Sequence, residues 1–239
     1  MVAIRFLTGC LALALAFAVH GTRACALESR QDSPDFLTVG DDGPADAETL
    51  GFNINHLSLI VRNLTASQDF YSKVLGMRHI FTAELTPSYY VAYMGHAHGG
   101  KNGTGYQTGQ ELLREKNNAA GLIEFQYFKN SEDEGMTATT QRPNTFSHIG
   151  LVVPSLEKAQ ARMEKLGVKI IKRIGQSAEG IKPVENALGV GEFATKNQTE
   201  RDLLVKGQEL VGFAQLLVVE DPDGNMIEIQ QLVPPPGVA

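Results

Sequence analysis

Cysteine is almost missing from this chain. Of 239 residues only Cys10 and Cys25 are cysteines, and both fall before residue 27. If residues 1–26 are a removable leader, the mature chain carries no thiol, which excludes a disulfide framework and cysteine nucleophiles alike. Long apolar runs are equally scarce. The one candidate, Phe6 to Val19 after the lone cation Arg5, is shorter than the roughly 20 residues that a membrane-spanning helix needs. With Ala24, Cys25 and Ala26 as a small-residue cleavage site, it predicts a secretory signal peptide over 1–26, Leu27 as first mature residue, and a secreted protein, extracellular or in the secretory pathway. Clusters of basic residues are absent as well. Removing Arg5 and Arg23 with the leader leaves 19 of the 21 basic side chains against 27 acidic ones, a formal charge of −8. Such a chain is a poor partner for nucleic acid or an anionic membrane surface.

What remains, roughly 210 residues, is enough to bury a core without staples. Residues 27–50, "LESRQDSPDFLTVGDDGPADAETL", are acidic and rich in Asp, Gly, Pro and Ser, and read as a flexible lead-in outside the core. Three N-x-T triplets, at Asn63, Asn102 and Asn197, are candidate glycosylation acceptors that suit a secretory route.

The body of the chain repeats itself. "HLSLIVRNLTASQDFYSKVLGMRHI", opening at His56, lies over "HIGLVVPSLEKAQARMEKLGVKII", opening at His148. Val61 meets Val153, Leu64 meets Leu156, Gln68 meets Gln160 and, with one gap, Gly76 meets Gly167. Both copies predict strand, turn, helix, glycine stop, strand. Leu156, Ala159, Met163 and Leu166 recur at helical spacing in the second copy, as do Ala66, Phe70 and Val74 in the first. Each copy closes on a glutamate between apolar residues, Glu124 in "GLIEFQ" and Glu228 in "NMIEIQ", the latter reached through a "DPDGN" turn. The fold class that follows is α+β: two βαβββ modules of curled mixed sheet, at 51–135 and 144–233, with a tail at 234–239.

Strand periodicity supplies the chemistry. His56, Ser58, Ile60 and Arg62 share one strand face, and His148, Gly150 and Val152 share another. If a helix covers one face of each sheet, the histidines and glutamates project from the other. Two imidazoles and two carboxylates are a ligand set for a divalent cation such as Zn, Ni, Co or Mn, with positions left for water. Two carboxylates buried side by side without a cation would be costly. His96 and His98, in a Gly-rich loop with no adjacent carboxylate, read as solvated loop histidines. The loop at 95–121 and the excursion at 176–212 have no counterpart in the repeat, and the latter's length suggests a lid or disorder.

"NHLSLIVRNLTASQDFYSKVLGM", "LIEFQYF", "FSHIGLVVPSLEKAQARMEKLGVKII" and "VVEDPDGNMIEI" together resemble glyoxalase I (lactoylglutathione lyase) of the vicinal oxygen chelate superfamily, over residues 53–232. The resemblance implies a metal site of His56, Glu124, His148 and Glu228 holding one divalent ion, Zn or Ni, in a homodimer whose sites lie between chains. It implies isomerisation of the methylglyoxal–glutathione hemithioacetal to S-lactoylglutathione through an enediolate, with Glu228 as the base and Glu124 as its counterpart. At the positions where the family keeps groups that contact the thiol, this chain has Ile60, Phe128 and Asn144, with Arg62 and Arg142 as the nearest substitutes. The identity of the thiol is therefore open. Two other functions stay open beside it: an extradiol dioxygenase type using two histidines and one glutamate, and a non-catalytic module that binds a small oxygenated molecule.

Overall fold

The computed structural model describes residues 38, 40, 42–99, 105–129, 131 and 136–233. The expected signal peptide at 1–26, Asn102, most of the acidic lead-in and residues 234–239 lie outside the described residues. Among the described residues no helix is long and apolar enough to cross a membrane. The chain divides into two compact units, Met1–Phe52 and Asn53–Ala239. Among the described residues of the first, a 3-10 turn spans Ala47–Thr49, with Asp46 accepting a hydrogen bond from the Glu48 amide.

The second unit holds two four-stranded sheets of identical order. Strands β1 (His56–Ile60), β2 (Arg78–Thr86), β3 (Tyr89–Gly95) and β4 (Leu122–Phe128) form the first, in the order β1-β4-β3-β2. Strands β5 (His148–Val153), β6 (Ile170–Lys172), β7 (Leu217–Glu220) and β8 (Met226–Gln231) form the second, in the order β5-β8-β7-β6. In each sheet the first strand runs parallel to the last and the other pairs are antiparallel. This is the mixed-sheet architecture expected from the repeat.

Helix α1 (Leu64–Asp69) follows β1, and α3 (Leu156–Lys165) follows β5. Asn63 and Ser155 cap them, each side chain accepting from a backbone N–H in the first turn. Gly76 (φ 80°) and Gly167 (φ 68°) end the two helical segments in left-handed conformations that a side chain would strain. Two details differ from expectation. The first helix widens into a π-helical turn at Phe70–Val74 and buries Ser67 and Tyr71, leaving the expected face of Ala66, Phe70 and Val74 only partly covered. Tyr71 belongs inside because its hydroxyl has a buried partner, donating to Asp221 of the other module at 3.0 Å. On α3, Leu156 and Met163 are buried but Leu166 is exposed, since the helix has already ended before it.

The helix-bearing faces of both modules merge into one core. Leu59, Val61, Tyr71, Met94 and Phe125 pack with Leu156, Met163, Leu217, Ile227 and Ile229. Polar ties cross the same seam. In the "DPDG" turn, Asp221 accepts from the Asp223 and Asn225 amides at 2.9 and 2.8 Å, while Asp223 pairs with Arg62 at 3.3 Å. Burial raises the Asp221 carboxyl above its ordinary value, and hydrogen bonds from Asn225 and Tyr71 oppose the rise.

The two insertions are caps. Helix α2 (Gly109–Glu115), opened by a Thr108–Glu111 capping box, sets Leu112 and Ala119 against Ile80, Tyr93 and Leu122. The longer excursion, expected as a lid or a disordered loop, contains helices α4 (Lys182–Leu188) and α5 (Gln198–Leu210), and its Ala178, Val184 and Ala187 pack with Phe213 on Val218 and Met226. Leu122 and Tyr93 share the strand face of Glu124, and Met226 and Val218 that of Glu228. Each cap thus shuts one end of the face that carries the titratable residues.

Candidate functional site

His56 opens β1 and Glu124 lies mid-β4, two residues along the parallel register from the His56 partner, Leu122. Both side chains therefore leave the sheet on the face away from α1. The imidazole Nε2 lies 3.5 Å from a Glu124 carboxylate oxygen. The second module repeats this: His148 opens β5, and its Nε2 lies 3.8 Å from Glu228. Two ligands of one cation, each at about 2.1 Å, stand about 3.0–3.4 Å apart. The two pairs are close to that spacing, so each fits half of a metal coordination sphere.

The outer nitrogens are held in a matching way. His56 Nδ1 is 3.0 Å from Asn55 Oδ1, and His148 Nδ1 is 2.7 Å from Ser147 Oγ. The Asn55 amide nitrogen donates to the carbonyls of Lys116 and Ala119, both at 2.7 Å, so its Oδ1 is turned to accept. Donation from His56 Nδ1 to that oxygen leaves Nε2 as the nitrogen facing Glu124, the orientation a metal-binding imidazole needs. Asn55 and Ser147 immediately precede the two histidines. That doublet was readable in the repeat as a polar residue before each strand-opening histidine.

Around the two carboxylates the modules diverge. Glu124 faces Tyr93 on β3 and Ser58 on β1, and Tyr93 in turn faces Phe81 on β2. Tyr93 is buried, stacks on Phe81 at 4.9 Å, meets the His56 ring edge-on at 5.3 Å and has the Lys116 ammonium 4.7 Å from its ring centre. Its hydroxyl is 3.4 Å from His56 Nε2, and Glu124 is its register neighbour on the same sheet face. Burial first, then the adjacent Glu124 carboxylate, push the phenol up to about 12, so it stays a donor at neutral pH.

Glu228 faces Val218 on β7 and Gly150 on β5, and Val218 faces Lys172 on β6. Lys172 is fully buried. Its three donors go to the carbonyls of Arg173, Ala214 and Leu216 at 3.3, 3.2 and 2.7 Å, beneath the Phe213 ring. Burial lowers the ammonium to about 8, against the pull of the Glu228 charge. No feature of the sequence pattern set Tyr93 or Lys172 apart from ordinary strand residues.

The remaining candidates fall elsewhere. Among the described residues no three His, Cys, Asp or Glu side chains come together as a metal cluster, so within one chain the four proposed ligands form two pairs. His56 and His148 do line a common cleft of about 900 Å³, whose other walls include Leu57, Met77, Ile149 and Leu151. His96 and His98 line it too. His98 is exposed as expected, but His96 is half-buried, and its Nε2 is shut from solvent with no hydrogen-bond partner among the described residues. Burial and the neighbouring His98 lower its basicity. His96, Ala97 and His98 thus lie along the cleft wall, a placement that the absence of a nearby carboxylate in sequence did not reveal. Arg62 is engaged with Asp223 and with the Met136 carbonyl, and Arg142 is exposed beyond the turn at Ala138. Asn63 and Asn197 are exposed and serve as helix N-caps, a structural use for both asparagines whatever their glycan state.

The model of the glyoxalase/bleomycin resistance protein/dioxygenase superfamily matches residues 53–180. A lactoylglutathione lyase of Pseudomonas aeruginosa is 28% identical over 137 residues, covering 57% of this chain and 77% of that protein. Among solved structures, the trypanothione-dependent glyoxalase I of Leishmania major superposes with a TM-score of 0.40 at 18% identity, covering 76% of this chain and 87% of its own. Glyoxalase I of Zea mays does so with a TM-score of 0.41 at 15% identity, covering 74% and 43%.

Proposed function

The chain belongs to the glyoxalase/bleomycin resistance protein/dioxygenase superfamily, and from that premise we propose that it is a metal-dependent lyase of the glyoxalase I type. One observation carries the reading: in both modules an imidazole Nε2 faces a mid-strand carboxylate at 3.5 or 3.8 Å while its Nδ1 is held by the preceding residue. His56, Glu124, His148 and Glu228 would hold one divalent ion, Zn or Ni, which when bound supplies Lewis-acid stabilisation for two adjacent substrate oxygens. The residues do the rest. His56 and His148 offer their Nε2 atoms, Glu124 offers its carboxylate, and Glu228 takes the proton from the sulfur-bearing carbon of the hemithioacetal and returns it to the neighbouring carbon. The caps packed beside the two carboxylates keep bulk water from the carbanion-like intermediate.

A twofold dimer supports completion of the site, since it would set the half-set of one protomer against the other half-set of its partner. Ile60 and Val152, at matched points on the ligand-bearing faces, are 67% and 49% exposed, apolar surface that such a partner would cover. The apolar N-terminal run supports secretion of the mature chain from Leu27 and glycosylation at the three acceptor asparagines. A glutathione adduct is the substrate to test first, although Arg62, the nearest stand-in for the family's anion grip, is taken up by Asp223.

Mature protein loaded with Zn or Ni and given methylglyoxal and glutathione should form thioester, with one ion per chain and a dimeric mass by light scattering. No turnover with any divalent ion would overturn the lyase. The dioxygenase type leaves the position of Glu124 without a role, so an active catechol-cleaving protein indifferent to Glu124→Ala would replace it.

A further inference from the structure

The four ligand residues repeat, but their supports do not. Cross-strand neighbours in register occupy the same sheet face, so the row Phe81, Tyr93, Glu124, Ser58 in the first sheet corresponds to Lys172, Val218, Glu228, Gly150 in the second. Glu124 has a phenol beside it, whereas the matching position beside Glu228 is a valine that donates nothing. Tyr93 is itself immobilised on every side: Phe81 stacks beneath, Lys116 lies over its ring, the His56 ring meets it edge-on, and Leu112 and Ala119 close the pocket. A rigid aromatic with one hydroxyl is a precise hydrogen-bond donor, because packing has already removed its rotamer freedom.

Building on the metal-site reading, we propose that Tyr93 is a positioning residue of the first half-set: its hydroxyl pins the Glu124 carboxylate beside His56 Nε2, whereas Val218, at the matching place beside Glu228, offers no such donor. The 3.4 Å contact with His56 Nε2 is long for an O–H donor, and once that nitrogen is engaged with a cation the phenol hydrogen has only the carboxylate to go to. The half-sets are thereby made unequal by a single atom. Gly150 reinforces the inequality, because a Cβ there would meet nothing within 4 Å, which leaves the space opposite Glu228 open.

The test is Tyr93→Phe, which keeps the stack on Phe81 and the edge contact with His56 and removes only the hydroxyl. Tyr127→Phe, on the alternate face of β4, is the control. In metal-free protein, side-chain NMR signals of His56 and Glu124 should broaden or split in Tyr93→Phe and stay single in Tyr127→Phe. In Co(II) titration against a competing chelator, Tyr93→Phe should bind about tenfold or more weakly with a shifted visible spectrum, at an unchanged melting temperature. If wild type binds Co(II) and Tyr93→Phe matches it in affinity, spectrum and NMR line shape, the positioning role is overturned and the metal reading stands. If wild type binds no divalent ion, the metal reading fails, and the metal-free NMR arm still decides whether Tyr93 orders Glu124.

Discussion

The two sheets have the same strand order, the same parallel pair and a histidine and a glutamate at the same places, yet their surroundings differ in kind. In the first module an aromatic stack and a phenol surround Glu124; in the second an aliphatic strand and a buried ammonium stand behind Glu228. What repeats is what the backbone needs: parallel pairing, a capped helix, a glycine stop, a core face. What differs lies on the opposite face, outside the shared core, where each sheet packs against its own cap. A duplicated fold thus carries two histidine–glutamate pairs in unlike surroundings.

Substitutions at matched positions test how deep this inequality goes. The largest contrast is expected between the carboxylates: Glu228→Gln should lower turnover by about 10²–10⁴-fold, whereas Glu124→Gln should act mainly through metal affinity. Single-turnover rates alongside metal content separate the two, and equal losses in rate per bound ion would make the halves equivalent. Next come the core residues beside each glutamate. Phe125→Ala should cost about 3–5 kcal/mol and Ile229→Ala about 2–5 kcal/mol in urea unfolding, because both are fully buried in the shared core. One cooperative transition is expected for each variant, and two separate transitions would mean that the modules fold independently.

Lys172 gives a pH signature found in the second module alone. Its ammonium titrates at about 8 in the fold against an ordinary 10.5. Between those values the unfolded chain holds a proton that the folded chain has released, so stability rises with pH across that window and the burial penalty is at its full size below it. Wild type should gain about 3 kcal/mol relative to Lys172→Met across that interval, measured by urea unfolding at a series of pH values; parallel curves would show that the amine is not held there. The smallest effects are expected at the matched supports of the histidines. Asn55→Ala and Ser147→Ala should each weaken metal binding by about ten- to a hundredfold. A loss confined to Asn55, whose amide is anchored by two carbonyls, would extend the inequality to the histidines as well.

Much of this was legible beforehand. The doubled histidine-strand-helix-glycine pattern foretold both sheets, because a period of two and a period near four are local properties of the chain. The caps Asn63 and Ser155 and the stops Gly76 and Gly167 behave as their residue types require. The burial of Tyr71 was not legible, because its hydroxyl is satisfied by Asp221, 150 residues away in sequence. Likewise "DPDG" reads as a turn and is one, but its acidic side chains also bind the first module through Tyr71 and Arg62. His96 lies against the cleft with a buried Nε2, a placement that no local pattern encodes.

The sequence by itself determined the two modules, the faces on which His56, Glu124, His148 and Glu228 stand, and the acidic, cysteine-poor character of the chain, since composition and periodicity act over a few neighbouring residues. Only the tertiary structure decided that Tyr93 faces Glu124 while Val218 faces Glu228, that Lys172 is sealed beneath its own cap, and that the four candidate ligands stand as two pairs within one chain. These are cross-strand and cross-module neighbours, set by register and by the fit of distant segments, and contact between residues far apart in the chain is a property of the packed whole.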